Sequence, residues 1–133
     1  MSLYKKTLGH QGEEIIVEYL RKLGFTILCQ NYTSKFGEID IIAKNKDVLA
    51  FVEVKFRKDS KVYLSDLISY SKQQKIIKTA MIYISHEFQQ HPLKNKHSHT
   101  VYRFDVALLH SVQQKIELNY IQNAFTATNS NTY

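Results

Sequence analysis

Apolar and polar positions change period several times along the chain. Over residues 12–23, Ile15, Ile16, Tyr19, Leu20 and Leu23 recur at helical spacing, and Gly24 supplies a stop. At about 100° per residue the stripe centres near Tyr19 and Leu23. Glu14, Glu18 and Arg21 fall opposite it, and Glu13 falls on its edge. Residues 25–32 are apolar and β-prone. Residues 38–44 and 48–57 alternate with a period of two around a tight turn at Asn45-Lys46-Asp47. Residues 71–86 return to helical spacing, with Gln73, Ile76, Ile77, Ala80 and Ile84 inward. Residues 101–109 form a strand, and 115–121 a short one. This order predicts an α/β fold: helix, three-stranded meander, helix, then a strand that returns in parallel, making a mixed sheet flanked by helices.

Composition narrows the picture. A chain of 133 residues, 44% of them apolar, suits one packed domain; residues 1–126 are assigned to it. Residues 127–133 are polar and read as a disordered C-terminal tail. The segment 89–100, with the lone Pro92, reads as a surface loop. Lys and Arg number 18 against 12 Asp and Glu, a net charge of +6. That balance favours an anionic partner, nucleic acid before an acidic membrane surface. The single cysteine, Cys29, excludes an internal disulfide and reads as a buried structural thiol. No apolar run nears the roughly 20 residues of a membrane span. The polar start, residues 1–14, lacks a signal-peptide core. A cytoplasmic setting is expected.

The candidate chemistry lies on the central hairpin. Glu38 and Asp40 share one face of their strand, and Glu53 and Lys55 share one face of theirs. If residues 46 and 47 form a two-residue turn, Asp40 lies opposite Glu53 and Glu38 opposite Lys55. Such a patch could hold Mg²⁺ on carboxylate oxygens, with positions left for water and phosphate. Lysine two residues from the glutamate could orient the water or stabilise charge on phosphorus. The same alternation also fits an ordinary strand pair with one wet face. Glu13 would face the sheet from the helix end, or simply suit the helix dipole.

A resemblance sharpens this. Gly9-His10-Gln11-Gly12-Glu13, Asn31-Tyr32, Phe36-Gly37-Glu38-Ile39-Asp40-Ile41-Ile42-Ala43, Phe51-Val52-Glu53-Val54-Lys55, Arg103-Phe104-Asp105-Val106 and Asn123-Ala124-Phe125 resemble the YraN-like family of small bacterial proteins (uncharacterised protein family UPF 0102). The likeness runs from about residue 8 to residue 125. The family is similar in pattern to archaeal Holliday-junction resolvases and to the wider PD-(D/E)xK nucleases. The resemblance implies a restriction-endonuclease-like αβββαβ core, dependence on Mg²⁺ or Mn²⁺, and phosphodiester hydrolysis. It matches Asp40 to the motif aspartate, Glu53 and Lys55 to the (D/E)xK pair, and Glu13 to the resolvase helix glutamate. Asp40, Glu53 and Glu13 would then be the metal ligands. The chain departs from the family at residues 58–71, which contain no glycine.

Basic residues flank the acids. Lys35, Arg57 and Lys58 are candidates for phosphate contact. Lys75 and Lys78 fall on the outer helix face and read as solvated. Lys72 and Gln73 open the second helix; Gln73 would either support the site or make a cap-region hydrogen bond. His91, His97 and His99 lack the fixed spacing that metal ligands need. The leading reading is a Mg²⁺-dependent endonuclease-like protein acting on DNA, on branched or damaged forms. The alternatives are a binding module of the same fold with little or no cleavage, and an interaction protein unrelated to nucleic acid. Cleaving a junction would call for two sites and hence a homodimer, though no dimer stripe stands out.

Overall fold

The computed structural model describes residues 2–57, 68–92 and 99–127. Helix α1 (Ser2–Lys22) is followed by strands β1 (Thr26–Thr33), β2 (Glu38–Asn45) and β3 (Val48–Arg57), helix α2 (Tyr70–Gln90), and strands β4 (Val101–Val112) and β5 (Lys115–Phe125). The strands form one sheet in the order β1-β2-β3-β4-β5. All neighbours are antiparallel except β3 and β4, which run parallel across the α2 crossover. The expected αβββαβ order and mixed sheet are therefore present, with β5 added at the edge.

Each face of the sheet is covered by one helix. Ile16, Val17 and Leu20 of α1 pack on Ile41, Ala43, Ala50, Val52, Ala107 and Leu109. Ile76, Ile77, Ala80 and Tyr83 of α2 pack on Ile39, Ile42, Phe51, Phe104, Val106 and Leu108. Aromatic contacts span this second face: Phe51 stacks on Phe104 at 5.5 Å and Phe104 on Phe125 at 5.0 Å, while Tyr83 meets Phe51 edge-on.

Three expectations need correction. The inward stripe of α1 centres on Ile16 and Leu20, both fully buried, whereas Ile15 and Leu23 are exposed. Gly12 is buried on the same side and packs closely on β4: a Cβ there would sit 3.3 Å from Leu109 Cδ1. Tyr19 turns to the sheet edge, where its ring meets that of Tyr120 at 5.4 Å. Second, α1 begins ten residues before the expected start, running through Gly9, and α2 runs past residue 86 to Gln90, two residues short of Pro92. Third, β5 reaches Phe125 because an irregularity, with Asn123 at φ 53°, is absorbed next to Asp105.

Turns match their residues. Gly24, at φ 96°, ends α1; its N–H donates to Arg21 O and that of Phe25 to Leu20 O, the pattern of a Schellman stop. Lys46 at φ 54° makes the two-residue turn between β2 and β3. Cys29 is half-buried and packs against the α2-side core. Residues 58–67 of the glycine-free segment, including Lys58, lie outside the described residues, as do His97 and the tail 128–133. Among the described residues no helix is long and apolar enough to cross a membrane.

Candidate functional site at a fork between two strands

The β2–β3 ladder runs from Asn45↔Val48 to Ile41↔Val52. Beyond that pair β2 continues along β1 to Thr33↔Glu38, and β3 continues along β4 to Arg57↔His110. The two strands therefore fork. Side-chain alternation slips at the same place: Ile39 and Ile42 both join the α2-side core, while Ile41 and Ala43 join the α1 side. Asp40 sits at the slip and Glu53 at the matching position of β3, the partner that the hairpin register assigns to it.

Asp40 fills the fork. Its Oδ2 accepts the backbone N–H of Val54 at 2.8 Å, a donor facing the opened gap. Burial, then the charge of Glu53 and more weakly those of Glu13 and Glu38, push its carboxyl up to about 7 despite that bond. Glu53 is 7% exposed. Its Oε1 lies 2.9 Å from Lys72 Nζ and 3.6 Å from Lys55 Nζ. Lys72 stands in the first turn of α2, where Ser69 Oγ accepts the Lys72 N–H at 3.2 Å and so fixes that turn. Burial lowers the Lys55 ammonium, helped by its contact with Lys72. Burial alone would lower Lys72 too, but its bonds to Lys55 and Glu53 and the nearby acids raise it overall.

Glu13 approaches from α1, on the same helical side as the buried Ile16, Val17 and Leu20. Burial raises its carboxyl, and the charges of Glu38 and Glu53 add to the rise. Glu14 is exposed and lies along a different groove with Ile15, Glu18 and Tyr19. Glu38 opens β2 and is exposed. Gln73 donates from Nε2 to Ile68 O at 3.2 Å, the cap-region bond of the two expected options. Lys35 lies over the Phe36 ring, and the exposed Arg57 bonds the Phe56 carbonyl.

Sequence reasoning missed Asn31. It takes φ 55° in the middle of β1, level with Asp40, and its Nδ2 donates to Glu13 Oε2 at 3.2 Å. Asparagine is among the few side chains at ease in that conformation. An isolated Asn in a β-prone stretch was the available signal. Asn31→Ala is expected to cost roughly 1–2 kcal/mol through backbone strain, whereas Asn31→Gly should recover most of it. Neither would hold Glu13. Equal thermal stability of the two variants would contradict this.

Among the described residues no group of three or more carboxylate, imidazole or thiolate side chains is placed to hold a metal ion. The site is instead an open, all-oxygen set whose members repel one another, with two ammonium groups drawn onto Glu53. Asp40 and Glu53 are the residues that could contribute to an ion such as Mg²⁺, which takes one or two protein carboxylates and keeps water or phosphate in its other positions.

The profile of the family described as "Uncharacterised protein family UPF0102" matches residues 12–109. The chain is similar to a UPF0102 protein of Caldanaerobacter subterraneus subsp. tengcongensis, 41% identical over 126 residues, covering 91% of this chain and 96% of that one. A UPF0102 protein of Clostridium botulinum is 40% identical over 129 residues, covering 94% and 98%. One from Vibrio parahaemolyticus is 35% identical over 123 residues, covering 92% and 94%. Together with the fold and the blocks that carry Glu13, Asp40, Glu53 and Lys55, these matches establish that the chain belongs to the UPF0102 (YraN-like) family.

Proposed function

We propose that this protein is a metal-dependent DNA phosphodiesterase whose active centre is the β2–β3 fork. The observation that carries the reading is the joint placement of Asp40 and Glu53 at the fork, with Glu13 electrostatically coupled to both and Lys55 beside Glu53. Like charges crowded in a half-buried fork are costly unless a cation joins them. Asp40 and Glu53 would hold Mg²⁺ or Mn²⁺, with Glu13 joining them as the ion draws the three carboxylates together. Bound there, the ion would polarise the phosphate and lower the pKa of a water. Lys55 would orient that water or meet the negative charge developing on phosphorus. Lys72 would hold Glu53 in place. The excess of basic residues, Lys35 and Arg57 among them, would draw in the DNA backbone.

One observation favours a second reading, a nucleic-acid-binding module that does not cut: Glu53 Oε1 is already paired with two ammonium groups. Calorimetric Mg²⁺ titration separates the roles. Lys55→Ala is expected to keep Mg²⁺ binding, since a protonated lysine offers no lone pair, while abolishing DNA nicking. Asp40→Ala should lose both. Absence of Mg²⁺ and Mn²⁺ binding by the parent protein would overturn the metal-site reading.

A further inference from the structure

A second basic feature lies apart from the acidic side chains of the fork, and of its residues only Lys35 has a role above. The turn between β1 and β2 and the outer face of α2 enclose an open groove of ≈ 580 Å³. Lys35, Lys75 and Lys78 line it together with the rings of Phe36 and Tyr70, and no carboxylate lines it among the described residues. Phe36 is 37% exposed and Tyr70 60%. Two large rings held in water amid ammonium groups call for an occupant that is both flat and anionic.

The rings are held, not loose. Ser34 Oγ and Thr79 Oγ1 share a hydrogen bond of 2.8 Å that ties the turn to α2. Within the turn, Ser34 N–H donates to Gly37 O at 2.8 Å and Phe36 N–H to Ser34 Oγ at 3.0 Å. Tyr70 is the first residue of α2, directly after the Ser69 cap. Lys35 and Lys78 Nζ each lie 5.2 Å from the Phe36 ring centre. Exposed cation–π contacts are weaker than base stacking. An incoming base can therefore displace an ammonium, which stays close enough to meet the adjoining phosphate.

We propose that this groove is a track for unpaired nucleic acid, in which Phe36 and Tyr70 stack bases and Lys35, Lys75 and Lys78 hold phosphates. Paired bases hide their faces inside the duplex, so exposed aromatic platforms select single-stranded segments. Both walls are close in sequence to the fork: Glu38 lies two residues after Phe36, and Lys72 two residues after Tyr70. As a statement about substrate class the inference rests on the hydrolytic reading; as a statement about binding it needs no metal. It also reassigns Lys75 and Lys78 from solvation to phosphate contact.

The test is fluorescence anisotropy in EDTA with labelled dT15, U15, a 15-base-pair duplex and a poly-Glu peptide. The parent is expected to prefer the single strands to the duplex. Tyr70→Ala and Phe36→Leu should each weaken dT15 binding about 5- to 100-fold and leave duplex binding within about twofold. The Lys35→Ala/Lys78→Ala variant should flatten the salt dependence for dT15 by roughly 1.4 in log–log slope. Tighter binding of U15 with the same ring dependence supports the track and assigns it to RNA. Unchanged dT15 affinity in both ring variants, with circular dichroism showing them folded, overturns the proposal. So does peptide binding that matches dT15 and depends on the lysines alone. Because no metal is present, loss of the track and loss of the nuclease reading are separately visible.

Discussion

Asp105→Ala is expected to destabilise the protein by about 3–5 kcal/mol, the range for uncovering one member of a buried ion pair. Asp105 is fully buried on β4, on the α1 side of the sheet. Its carboxylate accepts from Arg103 Nε at 2.9 Å and 3.1 Å, from Arg103 Nη2 at 2.9 Å, from Tyr120 O–H at 2.6 Å and from Asn123 N–H at 2.9 Å. Removing it leaves the Arg103 guanidinium without its counter-ion and releases the left-handed Asn123 that shapes β5. For a domain whose total stability is on the order of 5–15 kcal/mol the loss is severe. Thermal melts should show a fall of roughly 10–20 °C. Asp105→Asn keeps some acceptor capacity and should lose less. A drop below about 1 kcal/mol for the alanine variant would mean that the pair is worth no more than a surface one.

The opposite sign is expected at Asp40. In the metal-free protein its carboxyl titrates near 7, well above its ordinary 3.8, first because it is buried and then because of Glu53. A group with a raised folded-state value favours folding while protonated. That contribution is complete below about pH 4 and is lost as pH rises through about 7. Ionised Asp40 therefore burdens the fold at neutral pH, and Glu13 shifts in the same direction. Asp40→Asn keeps an oxygen for the Val54 N–H and removes the charge. It should stabilise the metal-free protein at pH 8 by about 1–3 kcal/mol and remove most of its pH-dependent loss between pH 4 and 7. The same change should abolish Mg²⁺ binding, because a neutral amide is a poor replacement for an anionic ligand. Stability traded against function is the expected signature of an active centre. Equal stability of parent and variant at pH 5 and pH 8 would show that Asp40 is not held under this strain.

Much of this could be read from the chain because period carries topology. Alternation over residues 38–57 with a two-residue turn gave the hairpin register as far as Ile41↔Val52, which leaves Asp40 level with Glu53 where the strands part; the expected opposition of Glu38 and Lys55 is not formed, because β2 and β3 have forked by then. The long helical insertion before β4 implied the parallel return. Less visible were features that depend on shape or on distant contacts. The α1 stripe faces the sheet through Gly12 as well as Ile16 and Leu20, and a buried glycine adds nothing to an apolar spacing pattern. The fork at Asp40 arises where two ladders stop competing for one strand, and nothing local marks it. Asp105 stood in view within an apolar strand, two residues from Arg103, but its partners Tyr120 and Asn123 lie on another strand. The grip of Lys72 on Glu53 joins a helix start to a strand 19 positions earlier, a contact visible only in three dimensions.

The proposed cutting of DNA at the fork, with a bound divalent ion, is open to a single decisive assay. The most direct measurement is cleavage of end-labelled DNA in single-stranded, duplex, flapped and junction forms by the parent protein with Mg²⁺ or Mn²⁺, run beside EDTA and the Lys55→Ala variant. Metal-dependent product is expected on at least one form carrying unpaired bases, and none with EDTA or Lys55→Ala. Product that survives both EDTA and the loss of Lys55, or no product on any form with either ion, would contradict it.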